Sequence, residues 1–534
     1  MARISFSEDQ IPQITEKMPV YRLDAPTLAS QDTVHEFVRN VAPKAQFKTL
    51  GNTLSAAYDG DRLVAFMNSA TGESKVFPAL EALKSGTNLR DRAKEAAVRI
   101  AANQTLFPND ETRMVALTPA TLMAALRQKD QPRGPAAEHL SFVRLQRQVN
   151  GLPVWGPGTR AMIAVDAEGK IQGFSHRWRA AYHTGEHVVP ISRKELVAPI
   201  VSQLSRGVPY ADVKVDKVLT GYYDGGGGVL QPVLRFEATI ERPDSKDQKG
   251  RASKSHVFGY ISIGLAAEPL PELGVVQGTA PFYAPRRIAA KTGAGGSKAP
   301  IPGDPTVGRY VVRNDNAGWV NSANGFMSNL QLANFFGSSI PFTDSQYYWA
   351  EPFEYVSDKD SYINSVNIAL TESHGNWDLF TTLQNNADFV YLSSIPPSGY
   401  GGAGHSLAYW TIHSCEVIPT QTDESTSFNV WWNIFKGLHA VTGYRTEMWI
   451  NDGATSPFGL SIGLGAPFVS AWLNAVSSDD SYDDGSTYFD DNRDIWEPMG
   501  RASAIAVCGH GDDNVTNLGS LGAATCLTEW WFGN

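Results

Sequence analysis

The chain reads as an α+β N-terminal region followed by an α/β C-terminal domain, and three observations point there. The first is a change in composition. Residues 1–306 hold 38 Lys and Arg against 30 Asp and Glu, a balance of +8, whereas residues 307–534 hold 7 against 25, a balance of −18. Eleven of the 13 Trp also fall in the second part. The second is the stretch 284–306, where small residues, Pro and Gly with scattered bases have the composition of an exposed linker. The third is a pair of apolar strands in the second part, each running directly into residues able to do chemistry. The organisation expected is residues 1–283, with subdomains of about 1–135 and 136–283, then a linker at 284–306, then a domain at 307–534. Opposite net charges favour docking of the two parts.

In the N-terminal region, Asn88 to Gln104 has helical spacing, with Leu89, Ala93, Ala96, Ala97, Ile100 and Ala101 on one face. Ser192 and Glu195 form a capping box ahead of Leu196, Ile200, Val201 and Leu204. Strands are expected at Ser141–Gln148, Thr159–Ala167, Lys170–Trp178, Val229–Ile240 and His256–Ile263, with Asp166-Ala-Glu-Gly-Lys170 turning a hairpin.

In the C-terminal domain, an apolar strand from Val366 to Leu370 leads through Thr-Glu-Ser into His374-Gly375. A second apolar strand, within Ser406-Leu-Ala-Tyr-Trp-Thr-Ile-His-Ser-Cys415-Glu416, ends in Cys415. In parallel α/β sheets, ligands bind in the crevice outside such strand ends. A free thiol is only slightly ionised near neutral pH, and a neighbouring imidazole lowers its pKa or takes its proton. The Gly after the His lets backbone approach a substrate, so its N–H can face a developing oxyanion. Cys415 and His374 are therefore expected on adjacent strand ends, across an open cleft. Farther on, Phe428 to Arg445 has a helical pattern whose Trp432, Phe435, Leu438 and His439 form core beneath the site, and Ala454 to Val476 reads as buried helix and loop.

A strand ending in His-Gly, followed by a strand ending in Cys, resembles the caspase–legumain–gingipain clan of cysteine peptidases, and Cys415-Glu416 is closest to the legumain form. The resemblance implies a caspase-like α/β fold, a mostly parallel sheet flanked by helices. It implies hydrolysis of peptide bonds through a thioester, with Cys415 as nucleophile, His374 as general base and the Gly375 N–H in the oxyanion hole. Glu416 and His413 are possible accessory groups, His413 because alternate residues of a strand face one side. An amidase or transpeptidase using the same dyad, and an inactive binding module of the same fold, are the alternatives. Gln148-Val-Asn-Gly-Leu-Pro-Val-Trp-Gly156 and Ala164-Val-Asp-Ala-Glu-Gly-Lys-Ile171 resemble PepSY-type propeptide modules of secreted metallopeptidases. That implies an inhibitory or chaperone-like prosegment and an extracytoplasmic setting. Together with the opposite charges and the linker, it leads to the expectation of a zymogen whose N-terminal region is an intramolecular partner of the peptidase and hinders access to Cys415, with release by cleavage near Arg286-Arg287 or elsewhere in the linker. The first residues lack the apolar stretch expected of a signal peptide, which fits either a cytoplasmic location or a chain that begins after a removed signal.

The remaining motifs bound the chemistry. Three Cys make no disulfide framework, although Cys508 and Cys526 can pair and leave Cys415 as the odd thiol. His413, Cys508 and His510 with the dyad lack C-x-x-C and H-E-x-x-H spacing, so zinc catalysis is not expected and no cofactor is required; His510 reads as a loop histidine between glycines. Asp479, Asp480, Asp483 and Asp484 beside Gly485 offer oxygen ligands for calcium, without EF-hand spacing. The acidic, Trp-rich domain is unsuited to nucleic acid, and its surplus of carboxylates favours peptide or protein substrates basic near the cleaved bond. Pro457, Gly459, Gly463, Gly465 and Pro467 interrupt the longest uncharged stretch, so no membrane span is expected.

Overall fold

The computed structural model describes residues 3–107, 111–246, 252–264, 268–271, 273, 304–312, 317–336, 340–382, 388–420, 423, 427–448, 450, 453–478, 487–490 and 495–533. The Arg286-Arg287 pair, almost all of the expected linker, and the acidic positions Asp479, Asp480, Asp483 and Asp484 lie outside the described residues.

The expected helix spans Leu89–Ala101 (α1) and buries Leu89, Ala93, Ala96, Ala97 and Ile100, with Ala101 half-buried. It packs beside a meander of four strands: β1 (Ala120–Gln128), β2 (Ala137–Val149), β3 (Arg160–Val165) and β4 (Ile171–Val188). The β3–β4 turn forms because Asp166 Oδ1 accepts from the backbone N–H groups of Glu168 and Lys170, at 3.0 and 2.8 Å. After β2, Asn150 and Gly151 both take positive φ, which makes a two-residue hairpin turn into Leu152–Trp155. Helix α2 (Arg193–Gly207) opens on the expected box, since Ser192 Oγ accepts from Glu195 N and Glu195 Oε2 accepts from Ser192 N. It covers strands β5 (Asp212–Tyr223), β6 (Val229–Lys246) and β7 (Ala252–Ser262) through Leu196, Ile200 and Leu204.

The C-terminal half begins with β8 (Thr306–Val311), whose first residue lies inside the expected linker. Helix α3 (Ala317–Phe335) follows, then β9 (Thr343–Tyr348), β10 (Ile368–Glu372), β11 (Tyr409–His413) and β12 (Ala440–Tyr444). These five strands are parallel, in the order β9-β8-β10-β11-β12. Helices α4 (Thr455–Gly463) and α5 (Phe468–Ser477) come next, matching the buried helix and loop expected there. The hairpin β13 (Thr487–Asp490) and β14 (Ile495–Pro498) precedes the antiparallel strands β15 (Ala502–Val507) and β16 (Cys526–Phe532), which extend the sheet beyond β12.

The parallel strands are buried on both faces, so they read as continuous apolar runs. Successive side chains alternate between two cores. Ile368, Leu370 and Tyr409 join the layer of α3, α4 and α5, with Trp319, Phe458 and Trp472. Ala369, Trp410 and Ile412 join the opposite layer, with Tyr355, Phe380 and Trp431. The helix expected from Phe428 to Arg445 forms only at its start, where a 3-10 turn at Ser427–Val430 leads into Trp431–Ile434. A single turn at Trp431–Ile434 is followed by β12, because Gly437 packs on the Gly401 carbonyl and the β-branched Val441 and Thr442 suit a buried strand. His439, Phe435 and Leu438 are nonetheless buried as expected.

The two halves share one sheet. β16 pairs antiparallel with β1 over seven residue pairs, from Cys526↔Gln128 to Phe532↔Leu122. Across that junction Glu529, fully buried, accepts from Arg127 at 3.1 Å and pairs with Arg133 at 3.2 Å. The β13–β14 hairpin makes a second junction, with Tyr488 opposite Ser255 of β7. The whole is a large mixed sheet flanked by helices. No helix among the described residues is long and apolar enough to cross a membrane.

Candidate functional site

The parallel register of β10 and β11 sets Ile368 opposite Tyr409 and Glu372 opposite His413. Both strands therefore end level, and His374 and Cys415 each lie two residues beyond the last pair. Ser373 N–H bonds to the His413 carbonyl at 3.3 Å and carries the alignment one step further. The chain leaves β8 for the outer strand β9 and returns to β10, so the strand order reverses beside this end of the sheet, where α/β folds hold ligands.

Gly375 packs tightly on the neighbouring strand end. A Cβ built there falls 2.2 Å from Ser414 Oγ and 3.0 Å from the Cys415 carbonyl oxygen, so only glycine fits without a shift. His374 is half-buried and meets Trp319 of α3 edge-on, with ring centroids 5.1 Å apart. Its carbonyl accepts from Thr381 N at 2.8 Å, which ties it to the small sheet formed by 375–376, 379–381 and 389–391.

Cys415 departs from the expected open cleft. It is 3% exposed, and its sulfur accepts from Met448 N at 3.4 Å and faces the Met448 carbonyl at 3.8 Å. Burial pushes the thiol pKa well above its ordinary value, and the carboxylates of Glu447 and Glu416 push the same way. Glu416 adopts φ +53°, a left-handed conformation that a non-glycine residue holds only at a cost of about 1–2 kcal/mol. Its Oε1 accepts from the Tyr488 hydroxyl at 2.9 Å, and Glu497 Oε2 lies 3.1 Å from the same hydroxyl. Tyr488 sits on the hairpin that pairs with β7, where Thr487 Oγ1 lies 3.0 Å from His256 Nδ1. The turn that carries Cys415 is thus linked through one tyrosine to the N-terminal region.

His413 does other work than the expected support of the thiol. Its Nδ1 lies 2.6 Å from Glu372 Oε2, and both side chains are buried. Ser322 of α3 donates to Glu372 Oε1 at 2.7 Å and lies 2.8 Å from Thr455 Oγ1 of α4. Burial raises the Glu372 pKa, against which the contacts with His413 and Ser322 act. The pair locks the ends of β10 and β11 together and to the helices beneath them. Sequence reasoning missed Glu372; the signal was the register itself, since setting T-E-S-H-G beside I-H-S-C-E places Glu372 next to His413.

Cys508 and Cys526 form a disulfide, with Cα atoms 5.5 Å apart, so neither is a metal ligand, and Cys415 is the free cysteine. His510 lies not beside His374 and Cys415 but at the other end of the sheet, with Asp513 and His439.

Residues 307–497 match a family described as a domain of unknown function, DUF6345. No curated protein matches the chain. Among solved structures, an uncharacterized protein from Eubacterium rectale is similar at 11% identity over 47% of this chain and 84% of its own, with a TM-score of 0.28. A secreted C11 cysteine protease from Bacteroides thetaiotaomicron, iotapain, is similar at 10% identity over 39% of this chain and 67% of its own, with a TM-score of 0.26.

Proposed function

We propose that the C-terminal half is a caspase-like cysteine peptidase domain held in a latent form. One observation carries the reading: level, register-paired strand ends bring Ser373-His374-Gly375 beside Ser414-Cys415 at the reversal of strand order. In the reaction, Cys415 gives its proton to His374 and the thiolate adds to the substrate carbonyl carbon. The oxyanion takes the Gly375 N–H. The adduct expels an amine, which leaves with the proton from the imidazolium, and a thioester remains on Sγ. Water, deprotonated by His374, cleaves the thioester, releases the acid and restores the thiol. Latency accounts for the buried, hard-to-ionise sulfur. The same sulfur favours a second reading, an inactive binding module, because a nucleophile needs exposure and thiolate character. An extracytoplasmic location belongs to the proposal, supported by the Cys508–Cys526 disulfide, since disulfides persist in oxidising compartments.

The test is labelling by an acyloxymethyl ketone probe and hydrolysis of a peptide library, before and after proteolytic cleavage within 284–306. Labelling at Cys415 and hydrolysis are expected, slow in the intact chain, with hydrolysis abolished by Cys415→Ala and His374→Ala. Hydrolysis that survives Cys415→Ala defeats the mechanism. A folded chain that is never labelled, cleaved or intact, selects the binding module. Added amines that appear in the product select the transpeptidase.

A further inference from the structure

At the end of the sheet opposite Cys415, His439 immediately precedes β12 and is 3% exposed. Its Nδ1 lies 2.6 Å from Asp513 Oδ2, and its Nε2 lies 2.6 Å from the Gly519 carbonyl oxygen. His510 brings its Nδ1 to 2.8 Å from the same Asp513 oxygen. One ligand atom from each of the three residues lies within 4.8 Å of the others. The geometry points to a binding site for a divalent transition metal of the zinc class, held by His439, His510 and Asp513, with a fourth position open to water.

The hydrogen-bond inventory of His439 supports this. A neutral imidazole carries one N–H, yet both of its nitrogens face acceptors, so a neutral ring satisfies one and leaves the other facing a lone pair. A cation in place of the Nδ1 proton satisfies both: Nε2–H donates to the Gly519 carbonyl, and Nδ1 becomes a ligand. A second ring nitrogen bound to a backbone carbonyl is how metal-ligating histidines are oriented. Two imidazoles and a carboxylate are a usual donor set for an open three-ligand zinc site. Tetrahedral ligand atoms about 2 Å from zinc sit roughly 3.3 Å apart, so the 2.6 and 2.8 Å spacings must open by about half an ångström or slightly more. The 2.8 Å pair opens by a shift of the His510 ring, 35% exposed, and the 2.6 Å pair by a turn of the Asp513 carboxylate, 20% exposed, while the backbone of the loop stays in place.

The support around the site is rigid. The loop that carries His510 and Asp513 is closed by the Cys508–Cys526 disulfide. The Tyr409 hydroxyl bonds to the Asn514 and Asn517 carbonyls at 2.6 and 3.0 Å, and the Asp513 carbonyl accepts from Phe468 N. The adjacent Asp512 accepts from Leu80 N at 2.7 Å and reaches into the N-terminal half. Being at the other end of the sheet from the strand ends that carry His374 and Cys415, the metal takes no part in chemistry there, and through His439, His510 and Asp513 it fastens the loop that joins the two halves.

The experiment uses the full-length chain, stripped with chelator and then titrated with Co²⁺ and Zn²⁺. One equivalent of Co²⁺ is expected to bind with visible d–d bands and no thiolate charge-transfer band, and Zn²⁺ to displace it and raise Tm. His510→Ala and, more conservatively, His510→Gln are expected to weaken affinity at least about tenfold while leaving the metal-free Tm near wild type. His187→Ala, which breaks the exposed His183–His187 pair with rings 5.0 Å apart, should change nothing. Stoichiometric binding that survives both His510 variants, or that is lost in His187→Ala, overturns the site. So does a charge-transfer band, which would move the metal to Cys415. No binding refutes the proposal.

Discussion

Tyr488→Phe isolates the link between Cys415 and the N-terminal half. The substitution deletes one oxygen, which bonds to Glu416 Oε1 at 2.9 Å and lies 3.1 Å from Glu497 Oε2. A hydrogen bond to a charged group is worth about 1.5–3 kcal/mol. Its loss leaves Glu416, already at φ +53°, without that anchor in the turn that carries the thiol. The sulfur reacts only when this turn opens, so its labelling rate follows the open population. At 1.36 kcal/mol per factor of ten, labelling should rise about 10–150-fold. The assay is native-state labelling of Cys415 at fixed pH with increasing sub-denaturing urea. A local opening gives a faster rate that barely depends on urea. Equal rates in variant and wild type would show that Tyr488 does not hold the turn. A faster rate with the full urea slope of global unfolding would show that the substitution acts on the whole fold.

Three further outcomes are expected. Glu447→Gln removes one of the carboxylates that push up the Cys415 thiol, so the pH–rate profile of labelling should move to lower pH; an unmoved profile would show that Glu447 does not contribute, leaving burial and Glu416 as the causes. Glu529→Gln strips the charge partner from Arg127 and Arg133 inside the sheet junction and should cost roughly 3–5 kcal/mol in a denaturant melt, whereas a loss under about 1 kcal/mol would mean water compensates the guanidiniums. Burial raises the Glu354 pKa to about 8, so the proton is held more tightly in the folded chain: stability from this group is complete below the unfolded carboxylate range and falls as pH rises through about 8. Glu354→Gln should flatten that alkaline limb, by about 1 kcal/mol between pH 7 and 9, and melts of identical pH dependence would contradict the assignment.

The strands under the site were legible because burial on both faces leaves runs such as Ile368-Ala-Leu and Tyr409-Trp-Thr-Ile that few other environments tolerate. His374 and Cys415 stood out as the first chemically able residues past such runs. What surrounds them was not legible. Glu372 becomes the partner of His413 only through strand register, and Cys415 is buried against Met448, 33 residues on. The spacing of Trp432, Phe435, Leu438 and His439 imitates a helix, yet two glycine backbones meeting at Gly401 and Gly437 leave room only for a turn. The hairpin at Asp166–Lys170 was readable because side chain and backbone decide it within five residues, whereas the turn at Asn150-Gly151 emerged only from the structure. The ladder joining Leu122–Gln128 to Cys526–Phe532 spans some four hundred positions, and nothing local marks it.

That ladder changes what removing the N-terminal half would mean. Without Leu122–Gln128, the strand Cys526–Phe532 would present a bare row of backbone donors and acceptors, with Trp530, Trp531 and Phe532 beside it, all buried in the intact fold. Such an edge recruits other chains. A fragment starting near residue 304 should therefore self-associate or precipitate when expressed alone. Scission in the intervening segment, by contrast, should leave two polypeptides co-migrating on a sizing column, a nicked heterodimer from which neither piece departs without denaturant.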